Sequence, residues 1–382
     1  MSRSADAGDA VNLRPRFAII GGRGYPSTYG GFETFVRRFA PYLVARGCDA
    51  VVYGHGGIRW YSTECVDGVF VVRAPGIDSK SLTTLSHSLS AVIHASIARA
   101  NAALLLNVAN GLFIPLLRAA RIPVAINVDG LEWERGKWNW AARKVFRMGA
   151  SCATRLANEI VVDSSEIQAV WRRDFGRAGR FIPYGADVIP SAPRIDPLRP
   201  GYALVVARLA PENNVDMFLD AIEAAPWPSD VVVVGDANYD NPTIARLKRL
   251  HRDGRLFWYG HVEDQARLIA LWSHCGVYFH GHSVGGTNPA LLQAMACGAP
   301  TVAFDSVFNR EVLGPQGVYV SDALSLREEL ERIAFDPAVR RALAGDALAR
   351  ATAQYRWQDV CDRYLEVLCD IATPPRSSTL NR

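Results

Sequence analysis

Short apolar runs of strand length recur from Phe17 to Phe304, and most lead through a glycine or polar turn into a stretch with helical spacing. Residues 17–20, 50–53, 69–73, 103–107, 124–128 and 159–163 form one series, and residues 202–207, 231–236, 256–262, 275–280 and 298–305 form another. Strands that alternate with helices pair in parallel and need cover on both faces, which makes the chain an α/β protein. In such sheets ligands gather beyond the carboxyl ends of the strands, so the turns leaving those ends are where function is read. With 382 residues, 49% of them hydrophobic, there is material for two domains rather than one.

The turn after residues 275–280 is the most informative. It runs Gly281-His282-Ser283-Val284-Gly285-Gly286-Thr287-Asn288 and opens into an apolar helical stretch, residues 289–297, with Pro289 in its first turn. Gly285 and Gly286 let a ligand approach the backbone, Thr287 and Asn288 add side-chain donors, and the first-turn N–H groups face the same point. That combination suits a phosphate group. A second glycine-rich turn, residues 21–33, carries Gly30 and Gly31 ahead of a helical pattern over residues 34–46. It lacks G-K-[ST], which disfavours a Walker-type triphosphatase, and by itself it reads as a phosphate cradle or as a plain strand-to-helix turn.

Four segments together carry a family resemblance: Tyr29-Gly30-Gly31-Phe32-Glu33, Val128-Asp129-Gly130-Leu131-Glu132-Trp133, Pro211-Glu212-Asn213-Asn214, and His282-Ser283-Val284-Gly285-Gly286-Thr287-Asn288-Pro289. They resemble the signatures of retaining glycosyltransferases of the GT-B, family 4 type, and within these a rhamnosyltransferase-like subgroup. The resemblance implies two Rossmann-like domains facing each other across a cleft, with the nucleotide sugar mainly on the second and the acceptor mainly on the first. The expected layout is a disordered N-terminus (1–15), an acceptor domain (16–187), a proline-rich linker (188–201), a nucleotide-sugar domain (202–356), a helix returning to the first domain (357–372) and a tail (373–382).

The same resemblance assigns residues. Asp129 ends a strand and is expected to face the donor sugar, where a carboxylate would stabilise positive charge developing at the anomeric carbon; helix capping is its plainer role. Arg208 matches the arginine that neutralises the leaving diphosphate, a task to which a guanidinium is well shaped, although it would also serve to hold a neighbouring carboxylate. The companion lysine position holds Asn213. Gly30, Gly31, Tyr184, Asn213, Gly285, Gly286, Thr287, Asn288 and Gln293 form the expected donor-binding set. Two positions depart from the general family, which places glutamates where this chain has Gly285 and Gln293. A neutral amide binds ribose hydroxyls less strongly than a carboxylate, so Gln293→Glu is expected to tighten donor binding.

The implied reaction moves a hexose or 6-deoxyhexose, rhamnose by the subgroup resemblance, from a nucleotide sugar to a hydroxyl acceptor with retention, in polysaccharide or natural-product assembly. No dedicated nucleophile is identified. The acceptor is expected to be a lipid-linked saccharide or a small molecule. Arg208, the backbone of residues 285–288 and the helix end take the place of a metal, and no cofactor is expected. Alternatives within the fold are a sugar-nucleotide epimerase, a phosphorylase, or a non-catalytic partner that binds sugar nucleotides.

Charge and composition add limits. Residues 1–185 hold 23 Lys/Arg against 14 Asp/Glu, whereas residues 186–382 hold 19 against 24. A basic first half fits an anionic acceptor or a membrane surface, and equally an ordinary solvated face. Residues 133–147 interleave tryptophans with bases, which suits a membrane interface, an acceptor phosphate or amphipathic packing. No nucleic-acid-binding module accompanies them. The seven cysteines are odd in number and include no C-x-x-C pair, so neither a disulfide framework nor a zinc site is indicated. No run reaches the roughly 18 apolar residues of a membrane span. The expected location is therefore cytoplasmic, with peripheral contact at the inner face of the membrane as one reading of the basic half.

Overall fold

The computed structural model describes residues 14–26, 30–57, 60–77, 83–134, 138–189, 192–237 and 241–373. The expectations for residues 1–13 and 374–382, for residues 27–29 of the first glycine turn, for Leu82 at the start of a helix, for residues 135–137 of the aromatic and basic stretch and for Pro190 of the linker lie outside these.

The first half builds β1 (Arg16–Ile20), α1 (Gly31–Ala45), β2 (Asp49–His55), β3 (Ser62–Val66), β4 (Val69–Ala74), α2 (Thr83–Ile97), β5 (Ala102–Leu106), α3 (Ile114–Ala119), β6 (Val124–Asn127), α4 (Trp140–Leu156), β7 (Glu159–Val162), α5 (Ser165–Phe175) and β8 (Arg180–Phe181). The strands form one sheet in the order β3-β4-β2-β1-β5-β6-β7-β8, parallel throughout except for the β3–β4 hairpin. β5 is buried along its whole length, as a central strand covered on both faces must be. β3 escapes the apolar pattern because it is an edge strand exposed over most of its length. Helices α2, α3, α4 and α5 cover one face through Ala91, Ile114, Ala150 and Trp171. Where α4 crosses the 3-10 turn Val108–Phe113, Gly111 and Gly149 meet so closely that a Cβ on either would run into the other's backbone surroundings.

The second half builds β9 (Ala203–Val206), α6 (Val215–Glu223), β10 (Val231–Val234), α7 (Pro242–Arg252), β11 (Phe257–Trp258), α8 (Gln265–His274), β12 (Val277–His280), α9 (Pro289–Ala296), β13 (Thr301–Phe304), α10 (Val307–Leu313), β14 (Val318–Val320), α11 (Ala323–Phe335), α12 (Pro337–Gln354) and α13 (Trp357–Ala372). Its sheet runs β11-β10-β9-β12-β13-β14, all parallel. This is a doubly wound order whose direction reverses between β9 and β12, where a crevice opens at the carboxyl ends.

Two chain segments run side by side between the halves. Ala186 N–H donates to the Tyr355 carbonyl at 2.7 Å, and Gly185 lies against Trp357. α13 then lies on the first sheet beside α1: Tyr364 packs on Phe35 and Phe39 at ring distances of 4.4 and 5.6 Å, and Asp362 accepts from Tyr42 and Arg46. A single apolar layer therefore continues from β1 and α1 through α13 to α9 and α12. Among the described residues no helix is long and apolar enough to cross a membrane.

Candidate active site

At the reversal point of the second sheet, Arg208 follows two residues after the end of β9, and β12 leads into residues 281–288. The two turns are stitched together. Asn214 donates to the Gly281 carbonyl at 2.8 Å, and both the amide and the hydroxyl of Ser283 donate to the Glu212 carbonyl at 2.9 Å. The carbonyl of Arg208 is held from beneath by Asn213 Nδ2 and by the Ala210 amide, each at 2.8 Å. Its guanidinium is exposed and, among the described residues, makes no hydrogen bond or ion pair. A rigid backbone thus presents an uncommitted cation at the edge where anions bind in sheets of this order.

The glycine turn is shaped by its neighbours. Gly285 adopts φ 124 with open space at its Cβ position, so backbone conformation alone demands glycine there. A Cβ on Gly286 would strike the carboxylate of Asp163, and Thr287 Oγ1 donates to the Asp163 carbonyl. Asn288 caps α9 by accepting from the Ala290 amide at 2.9 Å. With Pro289 lacking an N–H, the first turn therefore offers fewer open donors than the sequence implied. His280, fully buried below the turn, contacts Tyr278 OH at 3.0 Å and stacks on His282 at 4.4 Å. Burial, with His282 adding to it, pushes its pKa well below the usual histidine value, so it is neutral.

The first domain brings its own residues to the same cleft. A Cβ on Gly31 would come within van der Waals contact of Tyr184 and of Pro289 at the head of α9, so the two glycine turns face one another across the domains. Gly30 adopts φ 118 and sits over the buried Glu33, whose pKa burial raises. Asp129 takes a left-handed conformation, φ 58, with its amide donating to Asn127 Oδ1 at 2.8 Å. Asn127 in turn donates to Tyr364 OH of α13 at 2.6 Å. Asp163 is 2% exposed and its Oδ1 has no hydrogen-bond partner. Burial raises its pKa well above the usual carboxylate range, and the charge of Asp129 adds to this. Burial first, then the charges of Asp129 and Asp163, raises the pKa of Tyr184.

Of the residues expected from the sequence, Asp129, Tyr184, Gly30, Gly31, Gly286 and Thr287 thus gather at the junction of the domains, and Arg208 and Gly285 stand at the carboxyl edge of the second sheet. Three side chains are engaged differently from their expected part. Asn213 is 1% exposed and braces Arg208 from inside. Asn288 is a helix cap. Gln293 donates through Nε2 to the Asp187 carbonyl at 3.0 Å, a bond that an ionised glutamate could not make, and this leaves its carbonyl oxygen as the atom that can accept from a ligand. Sequence reasoning missed Asp163 and Glu311. Glu311 of α10 reaches across to accept from Ser164 Oγ at 2.9 Å and from the Ser165 amide at 2.9 Å, at the start of α5. Asp163 closes a buried strand and Glu311 lies on a short helix, but nothing local in either marks a partner in the other domain.

Comparison with known proteins bears on the fold that carries these residues. Residues 15–187 match a domain of unknown function, DUF1972, and residues 200–336 match the family described as Glycosyl transferases group 1. The O-antigen chain mannosyltransferase B of Escherichia coli is 24% identical over 166 residues, covering 42% of this chain and 43% of that protein. The chain thus matches less than half the length of that relative. The structure of sucrose-phosphate synthase from Thermosynechococcus elongatus superposes with a TM-score of 0.79 at 20% identity, over 94% of this chain and 99% of its own. HepE of Anabaena, solved in complex with UDP-glucose, superposes with a TM-score of 0.72 at 16% identity, over 93% and 99%. The fold is GT-B, two Rossmann-like domains, and the match to the group 1 glycosyltransferase family lies in the second.

Proposed function

We propose that this chain, a GT-B protein whose second domain is a group 1 glycosyltransferase domain, is a glycosyltransferase that moves a hexosyl or 6-deoxyhexosyl group from a nucleoside diphosphate sugar to a hydroxyl of a saccharide acceptor. The observation that supports it most is Arg208: an exposed guanidinium without a partner among the described residues, at the reversal point of the second sheet beside a glycine turn. Relatives of the fold point the same way, one solved with UDP-glucose and one named for O-antigen chain assembly. Rhamnose rests on the sequence resemblance.

In this reading Arg208 and the backbone of residues 285–286 bind the diphosphate, and Tyr184 and Gly31 close over it from the first domain. The acceptor oxygen bonds to the anomeric carbon as the bond from that carbon to the phosphate oxygen breaks. The acceptor proton passes to the departing phosphate, attack and departure share one face of the sugar, and configuration is retained. Asp129 stands near the anomeric carbon, where its charge stabilises the cationic transition state. Among the described residues no group of three His, Cys, Asp or Glu side chains is placed to hold a metal ion, and metal independence is part of the proposal. A cytoplasmic site at the inner face of the membrane goes with it.

The test is incubation with UDP-, dTDP- and GDP-sugars, with and without saccharide acceptors and with EDTA. Nucleoside diphosphate released only with acceptor, insensitive to EDTA, is expected, and an anomeric proton signal showing retention in the product. Isomerised donor without acceptor would mean an epimerase, phosphate-dependent release a phosphorylase, and binding without turnover a non-catalytic partner.

A further inference from the structure

We infer that the outer face formed by α2, α3 and α4 is a docking surface for an anionic lipid bilayer. The three helices bury their inner sides in one apolar layer against the first sheet, through Ala91, Val92, Ile114, Leu117, Phe146 and Ala150. Their outer sides therefore face the same solvent.

That face has an unusual composition. No Asp or Glu occurs in residues 79–128 or 135–158, whereas the chain as a whole has 38 in 382, a frequency that would place about seven there. Cations remain: Arg118 on α3, and Arg143, Lys144, Arg147 and Arg155 on α4, all exposed. Among the described residues Lys144 and Arg155 form no ion pair, so nothing neutralises them within the protein. Apolar side chains stand between and beside the charges. Trp140 is 78% exposed, and Met148 on the same helix and Leu116 on α3 are exposed as well. α2 presents Leu89, Ile93 and Ile97 at every fourth position, a stripe facing away from its buried side.

A solvated surface does not call for such a stripe, and a polyphosphate chain would leave it in water. A bilayer surface accepts both parts. Aromatic and aliphatic side chains enter the boundary of headgroups and acyl chains, while the cations stay at headgroup level with their stems along the apolar surface. Each Lys or Arg near an anionic leaflet strengthens binding about fivefold, an attraction that salt screens. None of these side chains belongs to the donor-binding set or the chemistry proposed above.

The full chain is to be sedimented with vesicles of phosphatidylcholine alone and of phosphatidylcholine mixed with phosphatidylglycerol. Binding to the mixed vesicles, weakened by added salt and absent on neutral vesicles, is expected. The variant K144A/R147A/R155A should bind the mixed vesicles on the order of 100-fold more weakly, while K248A/R252A on α7 of the second domain should match the unmodified chain. Ile93→Ser should weaken the binding that persists in salt. All variants should keep the parental melting temperature and UDP binding, so a failure here is distinguishable from failure of the transfer reading. Equal binding by the triple variant, indifference to phosphatidylglycerol, or binding to duplex RNA without binding to vesicles would overturn the proposal.

Discussion

Arg208 and Asp163 occupy opposite electrostatic settings, and each carries a prediction of its own kind. The Arg208 side chain is exposed while its carbonyl is held by Asn213, so the fold relies on its backbone and leaves its charge uncommitted. Arg208→Ala is therefore expected to lower kcat by about 100- to 1,000-fold, the usual scale for losing a group that stabilises transition-state charge. Its melting temperature should not change. Arg208→Lys should recover part of the rate, because charge survives without the planar fork; an alanine variant of near-parental activity would remove Arg208 from the chemistry. Asp163 behaves differently because burial raises its pKa. Below the ordinary carboxylate range both folded and unfolded chains hold its proton, and it does not favour either. As pH rises through that range the unfolded chain ionises first, so folding loses stability until the folded carboxyl also ionises. Asp163→Asn lacks this loss. Its melting temperature relative to the parent should climb as pH rises through and above the ordinary carboxylate range, and a difference that stays flat with pH would contradict the buried, protonated state. Arg208 was legible in the sequence as a cation at a strand end. The state of Asp163 was not, since it is created by Gly286 and Thr287 of the other domain.

Elements were legible where their patterns are local. β5 and β12 read as strands because central parallel strands are apolar on both faces, and α9 announced itself by Asn288 and Pro289 at its start. The exposed β3 had no such pattern, and the two-residue β8 and the three-residue β14 are too short to show one. The contact between α10 and α5 belongs to a further class, one that exists only between elements. Ser164 already caps α5 by accepting from the Glu166 amide at 3.2 Å, and Glu311 adds a carboxylate at the positive end of the same helix from across the domain junction. Removing it leaves the Ser165 amide without its partner. Glu311→Ala is expected to cost about 1–2 kcal/mol, seen as a melting temperature lower by about 2–8 °C. Because the contact joins two domains, the variant should also be cleaved faster by protease between residues 188 and 201. Unchanged melting and unchanged cleavage would show that the carboxylate holds nothing together.

At the scale of the whole molecule, the last helix reaches the residue proposed to face the sugar. α13 belongs to the C-terminal end of the chain, yet Tyr364 lies beneath the first sheet with its hydroxyl accepting from Asn127 at 2.6 Å. Asn127 uses its other amide atom to hold the Asp129 N–H at 2.8 Å, and Asp129 sits at φ 58, a backbone conformation that most residues avoid. The position of Asp129 is therefore set jointly by its own strand and by a helix more than two hundred residues later in the chain, a dependence that no local pattern could reveal. Tyr364→Phe deletes the acceptor while keeping the ring that packs on Phe35 and Phe39. A buried amide N–H is then left unpaired at a cost of about 1–3 kcal/mol, and Asn127 is free to turn and release Asp129. If Asp129 acts only on the transition state, kcat should fall by about 10- to 100-fold while the KM for the nucleotide sugar, set in the other domain, stays the same. A merely structural tyrosine would lower stability and leave kcat per folded molecule unaltered. Equal loss in kcat and in donor affinity would instead mean that α13 governs how the domains close, with Asp129 a bystander to that motion.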